Sequence, residues 1–312
     1  MKKNLRELSK LRDSISYVYF EHAVLEQDEF SLVAIREDGR IPIPVASTTC
    51  ILLGPGTSIT HSAVRIASEN GCMIIWCGEK IQRFYAAGLG ETRNSDNLMF
   101  QVEACMNENR HMRVIRRMYL RRFGSIPDQH YTLQQLRGME GIRVREAYRF
   151  ASRVYGIPWK GRNYKDDDWD AADPLNQALS YANTILYGIC HASIVSLGFS
   201  PAIGFIHTGK QLSFVYDIAD LYKADISIPS AFSAVKEFSM STEKLEQLVR
   251  KKMRIEINNK KLMRRIPEDL EWIFDIGEGS DEYEERVGNL WNQNGSVQGG
   301  KNWGDINYNN DN

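Results

Sequence analysis

The hydrophobic pattern of this chain changes period once, near residue 90, and that change limits the folds open to it. Before it, the runs ISYVYFEHAVLEQ (15–27), FSLVAIRED (30–38), RIPIPVASTTCILL (40–53), CMIIWCGE (72–79) and IQRFYAAG (81–88) are short and rich in β-branched and aromatic residues. Asp38-Gly39, Gly54-Pro55-Gly56 and Asn70-Gly71 separate them as turn signals, which is the pattern of strands. One capped helix interrupts the series, with Thr60 as its N-cap and Gly71 past its end. After Gly88-Leu89-Gly90 the period lengthens. Leu98, Val102, Cys105, Met106, Met112, Ile115, Met118 and Tyr119 form a stripe at three- and four-residue steps, predicting a helix over 96–123 that Gly124 and Pro127 end. Further helices are predicted over 132–155, 173–197 and 243–265. The fold class is therefore α+β, with a small β-rich N-terminal domain (1–90) and a larger all-α domain (91–276).

At 312 residues, two domains suit the chain better than one. The stretch 277–312 is rich in Asn, Gly, Gln and acids, with too little apolar surface to offset the entropy of ordering, so it is expected to be a poorly ordered tail. No apolar run approaches the roughly 18–20 uncharged residues that span a bilayer, and MKKNLRELSKLRDS lacks the apolar core of a secretory signal. A cytoplasmic protein without a membrane partner is the expectation. Five cysteines without metal-type spacing point to reduced, mostly buried thiols.

A formal net charge of -1 conceals a strong segregation. Residues 110–153 hold eleven arginines against three acids, whereas 267–312 hold eleven acids against Arg286 and Lys301. A basic middle of this kind suits a polyanionic partner. The arginines of 110–122 occupy more of the helix circumference than a solvated face needs, and a second cluster at 250–265 adds to them. Phosphate binding and plain solvation remain comparable accounts of these charges.

Chemistry-bearing residues gather in PAIGFIHTGK (201–210) and SFVYDIAD (213–220). If the turn after Phe214-Val215-Tyr216 opens a helix, Asp217 and Asp220 lie on one face at i and i+3. Convergent carboxylates suit Mg²⁺ or Mn²⁺, which take hard oxygen ligands. The plainer account is two first-turn acids favoured by the helix dipole. Glu140 stands alone in the arginine-rich QLRGMEGIRVR, where neighbouring cations keep it ionised for a metal or simply pair with it through Arg137 or Arg143. Spacing alone does not join Glu140 or His207 to the Asp217/Asp220 pair. Tyr164, Trp169, Tyr187 and Tyr216 lie near these segments, and rings with polar tips serve either as core or as stacking platforms for bases.

PGTSITHSAVRIASENG, QLRGMEGIRVR and PAIGFIHTGK with LSFVYDIADLYKADI occur in the order found in the CRISPR-associated integrase of the adaptation module, and the chain resembles that family, its subtype I-E branch in particular, over residues 10–270. The resemblance implies a dimerising β-rich domain followed by an all-α catalytic domain. It also implies a divalent cation, Mg²⁺ or Mn²⁺, held by Glu140, His207 and Asp220, with Asp217 a supporting catalytic acid. By the same resemblance Tyr164, Tyr187, Tyr216, Lys210 and Lys223 match positions around the DNA path, and Arg65 and Arg83 match basic positions that contact nucleic acid or support the dimer; Arg137 and Arg143 of the arginine-rich helix and the aromatic Trp169 are DNA-binding candidates beside them. The implied activity is transesterification: a 3′-hydroxyl of captured DNA attacks a phosphodiester at the edge of a CRISPR repeat, and water in its place gives endonuclease activity. The implied partners are splayed duplex DNA, repeat DNA, a second copy of the chain, and a small CRISPR-associated protein in a 4:2 complex. A structure-specific metal nuclease that does not integrate shares every one of these site residues. A non-catalytic DNA-binding scaffold would use the arginine surface alone.

Overall fold

The structure is a computed structural model that describes residues 18–48, 50–78, 84–88, 95–124, 131–161, 173–276, 290–292 and 295–297. Its β-strand region comes first and its helices follow, as the change of period predicts. The strands form two four-stranded sheets. One has the order β1 (Val18–Phe20), β5 (Cys50–Leu53), β7 (Met73–Cys77), β8 (Phe84–Gly88), with β1, β5 and β7 parallel and β8 antiparallel. The other has the order β4 (Gly39–Ile43), β3 (Ser31–Arg36), β2 (Val24–Asp28), β6 (Ser58–Ile59).

Two of the apolar runs therefore split between sheets. The run 15–27 becomes β1 and β2, divided at His22, whose backbone is left-handed with φ 49°. The run 40–53 becomes β4 and β5, divided by a short 3-10 turn at Val45–Ser47. Helix α1 (His61–Glu69) is the capped helix expected between strands: the Thr60 side chain accepts from Ala63 N, and Gly71 follows at φ 63°. Its Ala63, Ile66 and Ala67 enter one core with Leu25, Leu32, Ile43, Ile51, Leu53 and Ile74.

Strands β5 and β7 are buried along nearly their whole length rather than on alternate residues. The cause is cover on both faces, which makes a strand read as a continuous apolar run. Ile51, Leu53 and Ile74 face the α1 core. Leu52 and Ile75 face α5 (Pro174–Ser196), where a Cβ on Gly188 would lie 3.5 Å and 3.9 Å from their side chains. Through this contact the strands and the helices up to Asp275 belong to one compact unit.

The stripe over 96–123 forms two helices rather than one. Asn107 caps the second through its side chain, so α2 (Asp96–Met106) ends and α3 (Glu108–Phe123) begins there. Helix α4 (Leu133–Tyr155) starts with a capping box of Thr132 and Gln135. The segment predicted helical to 265 is likewise broken, at Lys260-Lys261, into α8 (Leu245–Asn259) and α9 (Leu262–Phe274). Short α6 (Ser213–Ala219), a π-helical turn at Lys223–Ser227 and α7 (Ile228–Phe238) complete this unit among the described residues. No helix described is long and apolar enough to cross a membrane. In the second unit, from Ile276, β9 (Leu290–Asn292) and β10 (Gly295–Val297) pair as an antiparallel ladder within the stretch where composition predicts little order. All five cysteines are free, four of them buried.

Candidate functional site

The segment Ser200–His207 enters α6 through a tight fold that depends on glycine. A Cβ at Gly204 would sit 2.2 Å from the His207 carbonyl oxygen and 2.8 Å from Ser213 Cβ. Gln101, fully buried on α2, fastens the start of this segment: its amide donates to the Ser200 and Ile203 carbonyls at 3.0 and 2.8 Å and accepts from Ser200 N at 2.7 Å. His111 of α3 reaches the Phe205 carbonyl at 3.0 Å.

Asp217 is wholly buried on α6. Its carboxylate accepts from the backbone amides of Phe205 (2.6 Å), Ile206 (3.0 Å) and His207 (2.9 Å), and from His207 Nδ1 at 2.7 Å. With its other bonds all from donors, an acceptor-only carboxylate requires the proton on Nδ1. That leaves the Nε2 lone pair of a half-exposed imidazole directed elsewhere, the arrangement by which a buried carboxylate orients a metal-binding or proton-transferring histidine. The i,i+3 spacing thus gives the two aspartates different surroundings. Asp217 turns inward to the loop, while Asp220, at the end of α6, belongs with Glu140.

Glu140 and Asp220 converge on one guanidinium. Arg122 Nη1 lies 3.7 Å from Glu140 Oε1 and its Nη2 lies 3.8 Å from Asp220 Oδ2 and 3.1 Å from the Asp217 carbonyl. Arg122 is not among the sequence candidates, though its register could have marked it. On α3 it continues the inward stripe Ile115, Met118, Tyr119, so an arginine occupies a core position, and its side chain is only 2% exposed. Arg143, one turn after Glu140 on α4, binds both oxygens of that carboxylate, at 3.1 and 3.3 Å. Lys223 lies 2.6 Å from Asp220 Oδ1. Burial pushes the Asp220 carboxyl up, but Lys223 and Arg122 outweigh it and hold the group below the ordinary aspartate range. Burial works against the Lys223 charge in turn, and Asp220 overrides it, so the ammonium is held above the usual lysine value.

Aromatic rings close the arrangement. Lys223 Nζ lies 4.9 Å from the Tyr187 ring centroid, Tyr187 meets Tyr216 edge-on at 5.1 Å, and Tyr216 meets His207 at 6.0 Å. Of the sequence candidates, Glu140, His207, Asp217, Asp220, Arg143, Tyr187, Tyr216 and Lys223 are brought together here. Arg137 is exposed one turn before Glu140, and Lys210 is exposed on the turn after His207. Arg65 lies on α1 and bonds Glu69 and Gln27 instead. Arg83, Tyr164 and Trp169 lie outside the described residues.

Two carboxylates and a free imidazole nitrogen are the donor types that a hard or borderline divalent cation takes. Among the described residues no three such side chains stand close enough to hold an ion as they are placed, and the chain's own cations face both carboxylates.

The family model described as "CRISPR associated protein Cas1" matches residues 119–265, the span that carries Arg122, Glu140, His207, Asp217 and Asp220. The chain is 48% identical over 308 residues to the CRISPR-associated endonuclease Cas1 2 of Thermus thermophilus, covering 97% of this chain and 94% of that protein. The chain belongs to the Cas1 family. It is also 41% identical over 227 residues to the CRISPR-associated endonuclease Cas1 of Escherichia coli, covering 72% of this chain and 74% of that one. A crystal structure of a TtCas1–DNA complex superposes on this Cas1-family chain with a TM-score of 0.80 at 48% identity, covering 92% of this chain and all of that one.

Proposed function

We propose that this chain is a metal-dependent DNA integrase of CRISPR adaptation, joining 3′-hydroxyl ends of captured DNA into a repeat by transesterification and cleaving DNA at the same centre. The observation that carries the reading is the pairing of a buried, fully engaged Asp217 with a His207 whose Nε2 is left available, beside two carboxylates that share Arg122. Membership of the family supports the substrate class, since its relatives are named CRISPR-associated endonucleases and one is solved with DNA.

Glu140, Asp220 and His207 Nε2 are the ligands for Mg²⁺ or Mn²⁺ in this reading. Held there, such an ion would polarise a phosphoryl oxygen and stabilise the charge that develops on the attacking and leaving oxygens. Asp217 keeps the His207 tautomer and ring plane, so that Nε2 is presented without a search through rotamers. Arg143, Arg137, Lys210 and Lys223 supply positive charge around the centre for the DNA backbone, while Tyr187 and Tyr216 offer ring faces at its rim. Arg65, and Arg83, Tyr164 and Trp169 by position in the sequence, extend the DNA path. Assembly is as a homodimer, two of which flank a dimer of the small adaptation protein in a 4:2 complex, in the cytoplasm.

Incubating the chain with that partner, a duplex bearing 3′-hydroxyl ends, supercoiled repeat DNA and Mn²⁺ tests the proposal. Strand-joined product is expected, and it should vanish in Glu140→Ala, His207→Ala and Asp220→Ala with DNA binding in the absence of Mn²⁺ preserved. Cleavage without joining would leave the structure-specific nuclease as the better account. Full activity in the three variants would overturn the centre itself.

A further inference from the structure

Every oxygen of the two carboxylates already faces a cation of the chain. Glu140 Oε2 meets Arg143 Nε at 3.1 Å, and Oε1 meets Arg143 Nη2 at 3.3 Å and Arg122 Nη1 at 3.7 Å. Asp220 Oδ1 meets Lys223 Nζ at 2.6 Å, and Oδ2 meets Arg122 Nη2 at 3.8 Å. A divalent cation that takes these oxygens places two positive charges where three side chains now point, and like charges this close in a half-buried site repel strongly.

The three cations differ in their freedom to move. Arg122 is enclosed, bonded to the Asp217 carbonyl and set against the Tyr119 ring at 5.3 Å. Arg143 and Lys223 are about a quarter exposed, inside α4 and on the π-helical turn respectively, and both have long side chains that reach solvent.

We propose that Arg143 and Lys223 are exchangeable counter-ions: they neutralise Glu140 and Asp220 in the metal-free protein, and a divalent cation at the carboxylates releases them to DNA phosphates. This rests on the metal-dependent reading above and adds to it a coupling. The cation strengthens DNA binding because it frees two phosphate-binding side chains, and DNA strengthens cation binding by the same factor, since coupling between two ligands is reciprocal.

Calorimetric titration of Mn²⁺ into the full chain, with and without a short duplex carrying 3′-dideoxy ends, measures the coupling, and DNA anisotropy with and without Mn²⁺ measures it from the other side. Wild-type protein should show about tenfold tightening in both. Lys223→Met should move the two affinities in opposite directions, binding Mn²⁺ more tightly without DNA because its competitor is gone, binding DNA more weakly in Mn²⁺, and losing the share of the coupling that Lys223 carries beside Arg143. Lys223→Arg should restore the coupling. Weakening of both ligands together in Lys223→Met, or an unchanged coupling factor, overturns the proposal and assigns Lys223 a structural part. Should Lys223→Met not fold, wild-type protein still decides the matter. Its DNA affinity must fall with salt more steeply in Mn²⁺, by one to two phosphate contacts at a slope of about 0.9 each, and an unchanged slope refutes the exchange. Absence of any Mn²⁺ binding to wild-type protein refutes the metal-dependent reading itself.

Discussion

Asp217 accepts four hydrogen bonds inside the protein, three of them from consecutive backbone amides that build the loop carrying His207. Asp217→Asn puts an amide donor among those donors, so at least one buried N–H loses its acceptor at a cost of about 1–3 kcal/mol. It also permits the wrong His207 tautomer. Metal affinity or joining activity should drop roughly 10- to 100-fold, with His207 ring nitrogen shifts showing the proton at Nε2, and wild-type metal affinity in this variant would sink the assigned role. Arg122 gives a second prediction. Asp220 is held below its ordinary value, so its ionised form stabilises the fold above the unfolded-state pKa of about 4; that contribution fades as pH falls through the folded value. Arg122→Met removes a counter-charge that both carboxylates share and should lower stability by roughly 3 kcal/mol near pH 7. Denaturant melts should show the gap to wild type narrowing below about pH 4 as Asp220 protonates, and a gap independent of pH would remove the electrostatic account. The sequence offered Asp217 and Asp220 as one pair because i and i+3 share a helix face. Burial separated their tasks, and burial is set by α3 and the 204–207 loop, which local spacing does not encode.

At the scale of elements, the sequence predicted best where caps and turns coincide with apolar periodicity. Thr60 opens α1, Thr132 with Gln135 opens α4, and Asp173 followed by Pro174 opens α5. It predicted least where one apolar stripe crosses a cap, as at Asn107, or where a left-handed residue stands between two helices, as Lys261 with φ 50° does at the start of α9. The loop before α6 carries no periodicity, yet it fixes His207. Gly204 is its tightest point: the added methyl of Gly204→Ala would overlap backbone and the first turn of α6, where neither neighbour has room to yield. Loss of several degrees in Tm is expected, a shift of about 4 °C corresponding to roughly 1–2 kcal/mol in a chain of this size. Joining activity should fall more than DNA binding, because the displaced group is the His207 loop rather than the arginine surface. Equal losses in both would show general unfolding instead.

Across the whole molecule, the segregated charge that the sequence displayed is divided by the fold into two classes of cation. Arg122, Arg143 and Lys223 are tied to the carboxylates of the centre, whereas Arg65 stands exposed on α1 in the β-strand region, paired with Glu69 and Gln27. No count of arginines along the chain separates these classes, because the separation comes from α3, α4 and α6 packing together while α1 covers the sheets. It has a measurable consequence. An exposed cation that contacts a phosphate contributes one released counterion and carries no information about the metal. Arg65→Ala should therefore weaken DNA binding uniformly across sequences and reduce the salt slope by about one, while Mn²⁺ affinity and the reciprocal tightening between Mn²⁺ and DNA stay as in wild type. Should the slope remain unchanged, Arg65 serves only its bonds to Glu69 and Gln27, and the DNA path does not extend over α1. A change in Mn²⁺ affinity would instead mean that the β-strand region and the carboxylate centre communicate through the α5 contact with β5 and β7.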